Sequence, residues 1–513
     1  MPVTVLRTAD GSLDSSDADA LKKLSKRLSS GKKKVLLYLH GGLVDQQSAE
    51  NIAGKLSGNG PSALNIPEDW EQVYIVWRTG LKETLKNNWI DLLENDRLYN
   101  ALVKRLISYF AEKTESAAAG RGGVEAPRLT DVAIEEQIRS GSDVPFAKID
   151  GKIATRGGFG DTLPLDDISD DEMELELRTV LELDDDIIVS SREIEAHIAE
   201  VSDDVTRGSY EADAARGRKQ FEHLDEAIQK EWGDEDPGTG RARAFGGLGV
   251  LGAIVGHGFK IGRRVLRRFK GRRDHGLYAT IVEEVARQLY GDLIGSAIWA
   301  MMTKDAADHF SQGRLGRDLV AALSSNKDAD LLVVGHSAGS IWATEFLNAR
   351  KRMGDETPLS LVLLAPAVRI KKFASMLDAC GSSIARFRMF AMKDELERAD
   401  VLLGTGFGFV YPSSLLYLVS GLFENEGSEP YSDAPILGMA RFISADPDWL
   451  PEEDEAAAVR KVRAFLAEHP DRVVYSETAD GDRFGSRSRS HGGFDDDVQT
   501  LKSIATHWLE KAQ

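Results

Sequence analysis

The chain has 513 residues, of which 42% are hydrophobic and 29% charged, a balance typical of a soluble protein with a sizeable core. Its 64 basic and 83 acidic residues give a formal charge of −19, which argues against a nucleic-acid-binding protein because such proteins need a basic face. The single cysteine, Cys380, excludes an internal disulfide and a cysteine-based zinc site within one chain.

The sequence predicts a cytoplasmic protein. Residues 1–14 lack the basic stretch followed by an apolar stretch that marks a signal peptide. No run of 18 apolar residues is present, so a transmembrane helix is not expected. The lone cysteine fits a reducing compartment.

Residues 1–80 read as the first part of an α/β domain. Residues 35–39 form a short apolar run that predicts a buried strand, and residues 73–77 predict a second. A helix is predicted between them, from about residue 46 to 56. Alternating short strands and helices are typical of a mostly parallel sheet with helices on both faces.

Residues 81–312 change the pattern and predict a large, mainly helical, cap-like insertion. From 81 to about 113, apolar residues recur at helical spacing. The segment 161–186 holds 12 acidic residues and one basic residue, Arg178. It is interpreted as a solvated or disordered strip rather than a metal site.

Within this insertion, residues 245–273 have an apolar half and a basic half. Six glycines between 246 and 258 disfavour a helix, and residues 260–273 carry eight basic side chains. We expect a buried glycine-rich hairpin or helix pair whose basic rim faces the acidic segment. The alternative is a peripheral contact with anionic lipid.

A dinucleotide site is not expected at the glycines of residues 247–252. Their spacing is G-x-G-x-x-G, but no strand precedes them and the chain 20 residues further on is basic instead of acidic.

The strand and helix alternation returns in residues 313–513, the second part of the predicted α/β domain. Strands are predicted at 331–334, 359–364, 385–392 and 472–475. Helices are predicted at 341–351 and 498–509.

Ser337 is the predicted nucleophile. It lies in Gly-His-Ser-Ala-Gly, residues 335–339, directly after a strand and directly before a helix. That setting presents a serine hydroxyl at the carboxyl edge of a sheet, beside the N-terminus of the next helix. Without this context the motif is a small-residue turn.

His491 is the predicted general base, because a serine hydroxyl needs a base to become a useful nucleophile. It lies in a loop between the last predicted strand and the last helix. The other downstream histidines, His469 and His507, lie at a helix end and inside the last helix, where packing or surface roles are expected.

The base needs a carboxylate that orients its ring. Asp394 is the predicted acid, because it follows the strand at 385–392 by two residues. Asp400 is the main alternative, and Glu395 and Glu397 also compete. The segment 395–401 is expected to begin a helix that carries Asp400 away from the sheet.

An oxyanion hole is predicted from two sources of backbone N–H groups. One is Ala338, directly after the nucleophile. The other is the loop Gly41, Gly42 and Leu43, after the first strand, where glycine allows a close approach to substrate. The alternative is a plain glycine turn.

Together these segments resemble the α/β-hydrolase superfamily, on its serine-esterase and lipase side. The matching pieces are His-Gly-Gly at 40–42, Gly-His-Ser-Ala-Gly at 335–339, the acid at 394 and the histidine at 491. Their order, Ser then Asp then His, is the order of that fold. The resemblance covers residues 1–80 and 313–513. Only six of the fold's usual eight strands are visible, and residues 81–312 have no counterpart.

The resemblance implies acyl transfer on a carboxylic ester through an acyl-enzyme, with no cofactor and no metal. The expected partner is a small-molecule ester or acyl substrate, and the oligomeric state stays open. Alternatives are a lipase or phospholipase at a membrane surface, a serine peptidase, a thioesterase, and a non-catalytic interaction protein on a hydrolase scaffold.

Overall fold

A computed structural model describes most of the chain. The described residues are 3–29, 34–42, 44–77, 81–119, 129–139, 145–154, 165, 168–201, 211–233, 249–291, 293–326, 328–424, 433–444, 450, 453–478 and 484–509.

An eight-stranded, mostly parallel sheet forms the centre of an α/β architecture. The strand order is β2-β1-β4-β3-β5-β6-β7-β8, and only the β1–β2 pair is antiparallel. The strands are β1 (Val3–Ala9), β2 (Ser12–Leu13), β3 (Lys34–Leu39), β4 (Trp70–Trp77), β5 (Asp330–His336), β6 (Leu359–Leu364), β7 (Ile384–Ala391) and β8 (Val473–Tyr475).

All six predicted strands are present, each shifted by a few residues at most, and β1 and β2 were not predicted. The burial of β1 alternates along the strand instead of forming a continuous apolar run. Its polar positions have partners: Arg7 pairs with Asp17 and Glu50 at 2.9 and 2.7 Å. A strand with one polar face beside the sheet edge lacks the apolar run that marks a central parallel strand.

Helices cover both faces of the sheet. Along β3, Val35, Leu37 and Leu39 belong to one hydrophobic cluster, and Leu36 and Tyr38 belong to the other. This alternation follows from the two-residue period of a strand. The smaller cluster includes residues of α2 and of the last helix, and the larger one extends into the helices of residues 81–312.

The helices predicted at 46–56 and 341–351 are present as Gln46–Ser57 and Gly339–Arg352. The helices before β5 are α1 (Ala18–Leu28), α2 (Gln46–Ser57), and, between β4 and β5, α3 (Leu81–Asn95), α4 (Arg97–Ala119), α5 (Asp131–Arg139), α6 (Ala147–Ala154), α7 (Asp170–Glu182), α8 (Asp185–Val201), α9 (Glu211–His223), α10 (Glu226–Gly233), α11 (Gly249–Lys270), α12 (Leu277–Val285), α13 (Ser296–Asp308) and α14 (Leu315–Ser324). After β5 come α15 (Gly339–Arg352), α16 (Ile370–Cys380), α17 (Asp394–Ala399), α18 (Leu415–Leu418), α19 (Ala440–Ile443), α20 (Glu453–Ala467) and α21 (Val498–Ile504).

Between β4 and β5, the elements in the described ranges are all helical. The predicted helix at 81–113 is two helices, because buried Asp96 caps α4 by accepting a hydrogen bond from the N–H of Tyr99 at 2.9 Å. In the described ranges, no helix is both long and apolar enough to cross a membrane.

The expectation that residues 245–259 form a poor helix is wrong. Residues 249–270 form one continuous helix, α11, and residues 245–248 lie outside the described ranges. Two glycines of this helix serve packing: a Cβ at Gly258 or Gly262 would lie 2.4 or 2.5 Å from a methyl group of Leu181 or Leu177 on α7. The helix propensity lost at glycine is therefore offset by close helix packing.

The acidic segment is also more ordered than expected where it is described. Residues 170–182 form α7, which buries Met173, Leu177 and Leu181. Residues 161–164, 166 and 167 lie outside the described ranges. Arg263 of α11 pairs with Asp170 at 2.6 Å, which agrees with the expected contact between the basic and acidic segments.

Candidate active site

The candidate site lies where β5 ends at the carboxyl edge of the sheet. Ser337 has a φ of 52°, a left-handed conformation that is costly for a residue with a side chain. Its N–H donates to the carbonyl of Leu364 at 2.8 Å, which anchors the turn to β6. α15 begins two residues later and directs its N-terminus at this turn.

Gly339 makes this tight turn sterically feasible. A Cβ at this position would lie 2.4 Å from the carbonyl oxygen of Leu39 on β3. Any larger residue would push α15 off the sheet and displace Ser337.

Ser337 and His491 are brought into hydrogen-bond contact. His491 Nε2 lies 2.8 Å from Ser337 Oγ, and both residues are buried. Burial lowers the pKa of His491 to about 3, and nearby His336 adds to that effect. The imidazole is therefore neutral near pH 7 and able to accept the serine proton.

The structure does not bring Asp394 to His491. Asp394 accepts a hydrogen bond from the Tyr417 hydroxyl at 2.6 Å and pairs with Arg398 at 3.1 Å. Its position at the first residue of α17 turns it toward α18 and away from the histidine loop.

Asp400 is the carboxylate that contacts the histidine loop. Its Oδ2 accepts a hydrogen bond from the backbone N–H of His491 at 2.6 Å. α17 has only six residues and ends at Ala399, with Asp400 as its C-cap. The expectation that a helix in segment 395–401 carries Asp400 away from the sheet is therefore wrong. Burial raises the pKa of Asp400 to about 6.

The Nδ1 atom of His491 is buried, and within the described ranges it has no hydrogen-bond partner. Nδ1 is the atom that a triad carboxylate would contact. In this arrangement the Asp400 carboxylate contacts the backbone N–H of His491 instead of its ring.

The other acids and histidines that were weighed lie elsewhere. Glu397 is buried and accepts a hydrogen bond from Ser414. Glu395 and His469 are exposed. His507 lies 3.9 Å from Asp471, beside α21.

The loop after β3 lies directly over the serine. A Cβ at Gly41 would be 3.1 Å from the Ser337 Cβ, and one at Gly42 would be 3.1 Å from the Ala338 Cβ. Within the described part of the chain, the backbone N–H groups of Gly42 and Ala338 donate to no protein acceptor. Leu43, the third predicted member of this loop, lies outside the described residues.

His40 orients the same loop, a role that the sequence analysis did not assign. Its Nδ1 lies 2.8 Å from the Gly41 carbonyl, and its Nε2 lies 3.2 Å from the Trp77 N–H. Nδ1 therefore donates and Nε2 accepts. Burial lowers the pKa of His40 to about 4, which keeps this neutral tautomer at pH 7.

The helical region between β4 and β5 closes the site from above. A Cβ at Gly42 would lie 2.9 Å from Sδ of Met302 on α13, and Ser337 is 2% exposed. Residues 407–422, a largely apolar segment, pack on the same helical region: Tyr411 stacks on Trp89 of α3 with ring centroids 5.8 Å apart.

Among the described residues, no group of three or more His, Cys, Asp or Glu side chains is arranged to hold a metal ion. Comparisons with protein-family models, with curated proteins and with solved structures found no match to this chain. A functional proposal for this chain therefore rests on the geometry of the site.

Proposed function

We propose that this chain is a serine hydrolase of the α/β-hydrolase type that cleaves a carboxylic ester. The observation that carries the proposal is the 2.8 Å contact of a neutral, buried His491 with Ser337 on a strained turn between a parallel strand and a helix. Strained backbone of this kind is concentrated at functional sites. Eight strands, with the serine after β5 and the histidine after β8, also agree with that fold.

In the first step, Ser337 Oγ attacks the ester carbonyl carbon while its proton passes to His491 Nε2. The carbonyl oxygen becomes an anion, and in this proposal the N–H groups of Ala338 and of the loop at Gly41 and Gly42 bind it. The bond to the alcohol then breaks, and His491 returns the proton to the leaving alkoxide.

The second step releases the acyl group. A water molecule gives a proton to His491 Nε2 and adds to the acyl carbon. The tetrahedral species collapses, the bond to Ser337 breaks, and His491 returns the proton to Oγ. The products are a carboxylic acid and the free enzyme.

Asp400, the alternative weighed against Asp394, takes the role of the acid in this proposal. Its carboxylate already holds the backbone N–H of His491. In this proposal, a rotation of the Asp400 side chain during catalysis lets one oxygen reach Nδ1, which has no hydrogen-bond partner among the described residues. The imidazolium that forms during catalysis supplies the attraction for that contact.

A fluorophosphonate probe tests the assignment directly. The wild-type protein should be labelled at Ser337, and Ser337→Ala should lose both labelling and about 10⁴-fold or more of its p-nitrophenyl ester hydrolysis. His469→Ala is the matched control and should keep both. A Ser337→Ala protein with wild-type turnover, or a wild-type protein that is never labelled, would reject the proposal.

A series of p-nitrophenyl esters of increasing acyl length then defines the substrate. Met302 lies over the Gly42 loop, so we expect rates to depend strongly on acyl length. Equal rates for all lengths would mean that the covering helices do not border the acyl site.

A further inference from the structure

A second buried histidine, His336, lies directly before the nucleophile and beneath the base. Its Nε2 is 3.0 Å from the backbone carbonyl oxygen of His491. Its Nδ1 is 3.3 Å from Oδ2 of Asp495. His336 and Asp495 are 4% and 3% exposed, so water does not compete for these contacts.

Both ring nitrogens of His336 face groups that accept hydrogen bonds. A carbonyl oxygen has no proton to give, so Nε2 must carry one. Nδ1 makes no hydrogen bond in this geometry, but the Asp495 carboxylate 3.3 Å away has no proton to give and its charge favours a proton on Nδ1. The ring that suits both neighbours is the doubly protonated imidazolium.

The charges around His336 agree with this state. Burial lowers its pKa, but the Asp495 carboxylate and the His491 carbonyl together raise it by more, so the net direction is upward. Burial raises the pKa of Asp495, but His336, Lys55 and the Tyr38 hydroxyl together lower it by more, so the net direction is downward. The Tyr38 hydroxyl donates to the same carboxylate oxygen at 3.3 Å.

The other titratable groups that act on this pair are His40, His491 and Lys55. His40 and His491 have pKa values near 4 and 3, so they carry no charge at neutral pH. Lys55 lowers the pKa of His336, although less than Asp495 raises it. Asp495 is therefore the group that keeps His336 charged.

His336 thereby holds the segment 491–495 at two points, a carbonyl at its start and a carboxylate at its end. Both backbone polar groups of His491 have partners: its N–H donates to Asp400, and its carbonyl oxygen lies against Nε2 of His336. Glycines follow at 492 and 493, and a Cβ at Gly492 would meet nothing within 4 Å. These polar contacts fix the backbone of His491, while the fully buried Phe494 anchors the same segment in the core.

We propose that His336, as an imidazolium paired with Asp495, is a positioning residue that sets His491 against Ser337, and that loss of its proton ends activity at alkaline pH. When one proton leaves, the carboxylate retains the proton on Nδ1. Nε2 then presents a lone pair to the His491 carbonyl, and the attraction becomes a repulsion. This inference rests on the proposed hydrolase function.

The sign of the pH effect follows from the upward pKa shift. His336 stays charged below its raised pKa, so positioning is intact below that value and is lost as pH rises through it. His491 itself stays neutral throughout this range and does not contribute the alkaline loss.

The pH profile of kcat/KM, measured with an ester or with the labelling rate of a fluorophosphonate, tests the role. We expect an alkaline limb in the wild type that disappears in His336→Gln, whose amide donates without titrating and so keeps most of kcat. His336→Ala should lower kcat about 10- to 100-fold with little change in KM, as expected for one charge-assisted hydrogen bond.

Asp495→Asn and Tyr38→Phe form the matched pair of variants. Asp495→Asn removes the charge that sustains the imidazolium, so the alkaline limb should disappear from its place above neutrality. Tyr38→Phe leaves the pair of His336 and Asp495 intact and should keep the limb. An unchanged limb in both His336→Gln and Asp495→Asn would overturn the inference, and thermal melting shows that each variant is folded.

Nitrogen-15 NMR of the His336 ring separates this inference from the proposed hydrolysis. Both ring nitrogens should be protonated at neutral pH, in the wild type and in Ser337→Ala. A neutral His336 rejects the inference whether or not esters are cleaved. A charged His336 in a protein without labelling at Ser337 rejects the hydrolase function, and the positioning role with it.

Discussion

Two buried groups of charged side chains lie in different regions of this protein and are built differently. At the sheet edge, His336 and Asp495 form one pair beneath His491. In the helical region, Arg268 of α11 pairs with Glu283 and Glu284 of α12 at 2.5 and 2.9 Å. The first group contacts a proposed catalytic residue, and the second contacts none.

The helical cluster also joins the region between β4 and β5 to the end of the chain. Arg273, just after α11, pairs with Asp433 at 2.6 Å and with Glu455 of α20 at 3.0 Å. These side chains are at most 2% exposed. Arginine charges paired with buried carboxylates suit a structural joint, whereas a histidine such as His336 can lose its proton as pH rises.

The comparison teaches that burial of charge alone does not mark a functional site. The helical cluster is the larger and the more deeply buried of the two, yet an arginine remains protonated at every accessible pH. At the sheet edge, the combination of strained backbone, a serine and a neutral imidazole indicates chemistry. The following five experiments test this division, from the largest expected effect to the smallest.

Asp400→Asn should lower kcat about 10³- to 10⁴-fold, because the amide cannot stabilise the imidazolium of His491. Asp394→Asn should cost less than about tenfold, since Asp394 contacts Tyr417 and Arg398 instead. Ester hydrolysis by both purified variants at pH 7 decides the ranking. The reverse ranking would return the acid to Asp394.

The same carboxylate predicts the acid limb of the pH profile. A carboxyl group with a pKa raised to about 6 is protonated below that pH and charged above it. The kcat/KM of the wild type should therefore fall as pH decreases through about 6, and the residual activity of Asp400→Asn should lack this limb. A limb that persists in Asp400→Asn would belong to another group.

Arg268→Met should lower the free energy of unfolding by about 3–5 kcal/mol, because it leaves Glu283 and Glu284 buried without their cation. Arg263→Met, on the same helix, breaks only an exposed pair with Asp170 and should cost at most about 1 kcal/mol. Urea denaturation measures both. Equal losses would mean that the buried cluster is no more important than a surface pair.

Gly262→Ala should destabilise the protein by about 1 kcal/mol, since its Cβ would lie 2.5 Å from a methyl group of Leu177 and α7 would have to shift. Gly256→Ala meets nothing within 4 Å and should gain up to about 1 kcal/mol of helix propensity. Thermal melting compares the two. A stabilising Gly262→Ala would mean that α7 and α11 tolerate a wider separation.

Anionic vesicles should have the smallest effect. Several cations of residues 260–273 are engaged within the protein: Arg268 and Arg273 are buried, Arg263 pairs with Asp170, and Lys270 donates to the carbonyl oxygen of Ile168. Activity on a water-soluble ester should not change when phosphatidylserine vesicles are added at low salt. Strong, salt-sensitive vesicle binding would restore the lipid-contact interpretation of this segment.

The sequence by itself determined the features that are local in the chain. A run of apolar residues, then Gly-His-Ser-Ala-Gly, then a helix predicts a serine at the end of a strand, because the turn needs small residues at fixed spacing. The loop position of His491 after the last strand is equally local. β1 was missed because its burial alternates, and β2 because it has only two residues. The glycines of α11 were misread because their packing partner lies on another helix.

Only the tertiary structure decided which carboxylate meets the base. Asp394 and Asp400 stand at the two ends of one short helix, and no property of either residue in the sequence tells which end faces residue 491. The direction of α17 is set by contacts far along the chain, where Tyr417 holds Asp394 and the backbone of His491 holds Asp400. The pair of His336 and Asp495 likewise joins residues that a sequence pattern cannot relate, because a hydrogen bond depends on distance in space and not on distance along the chain.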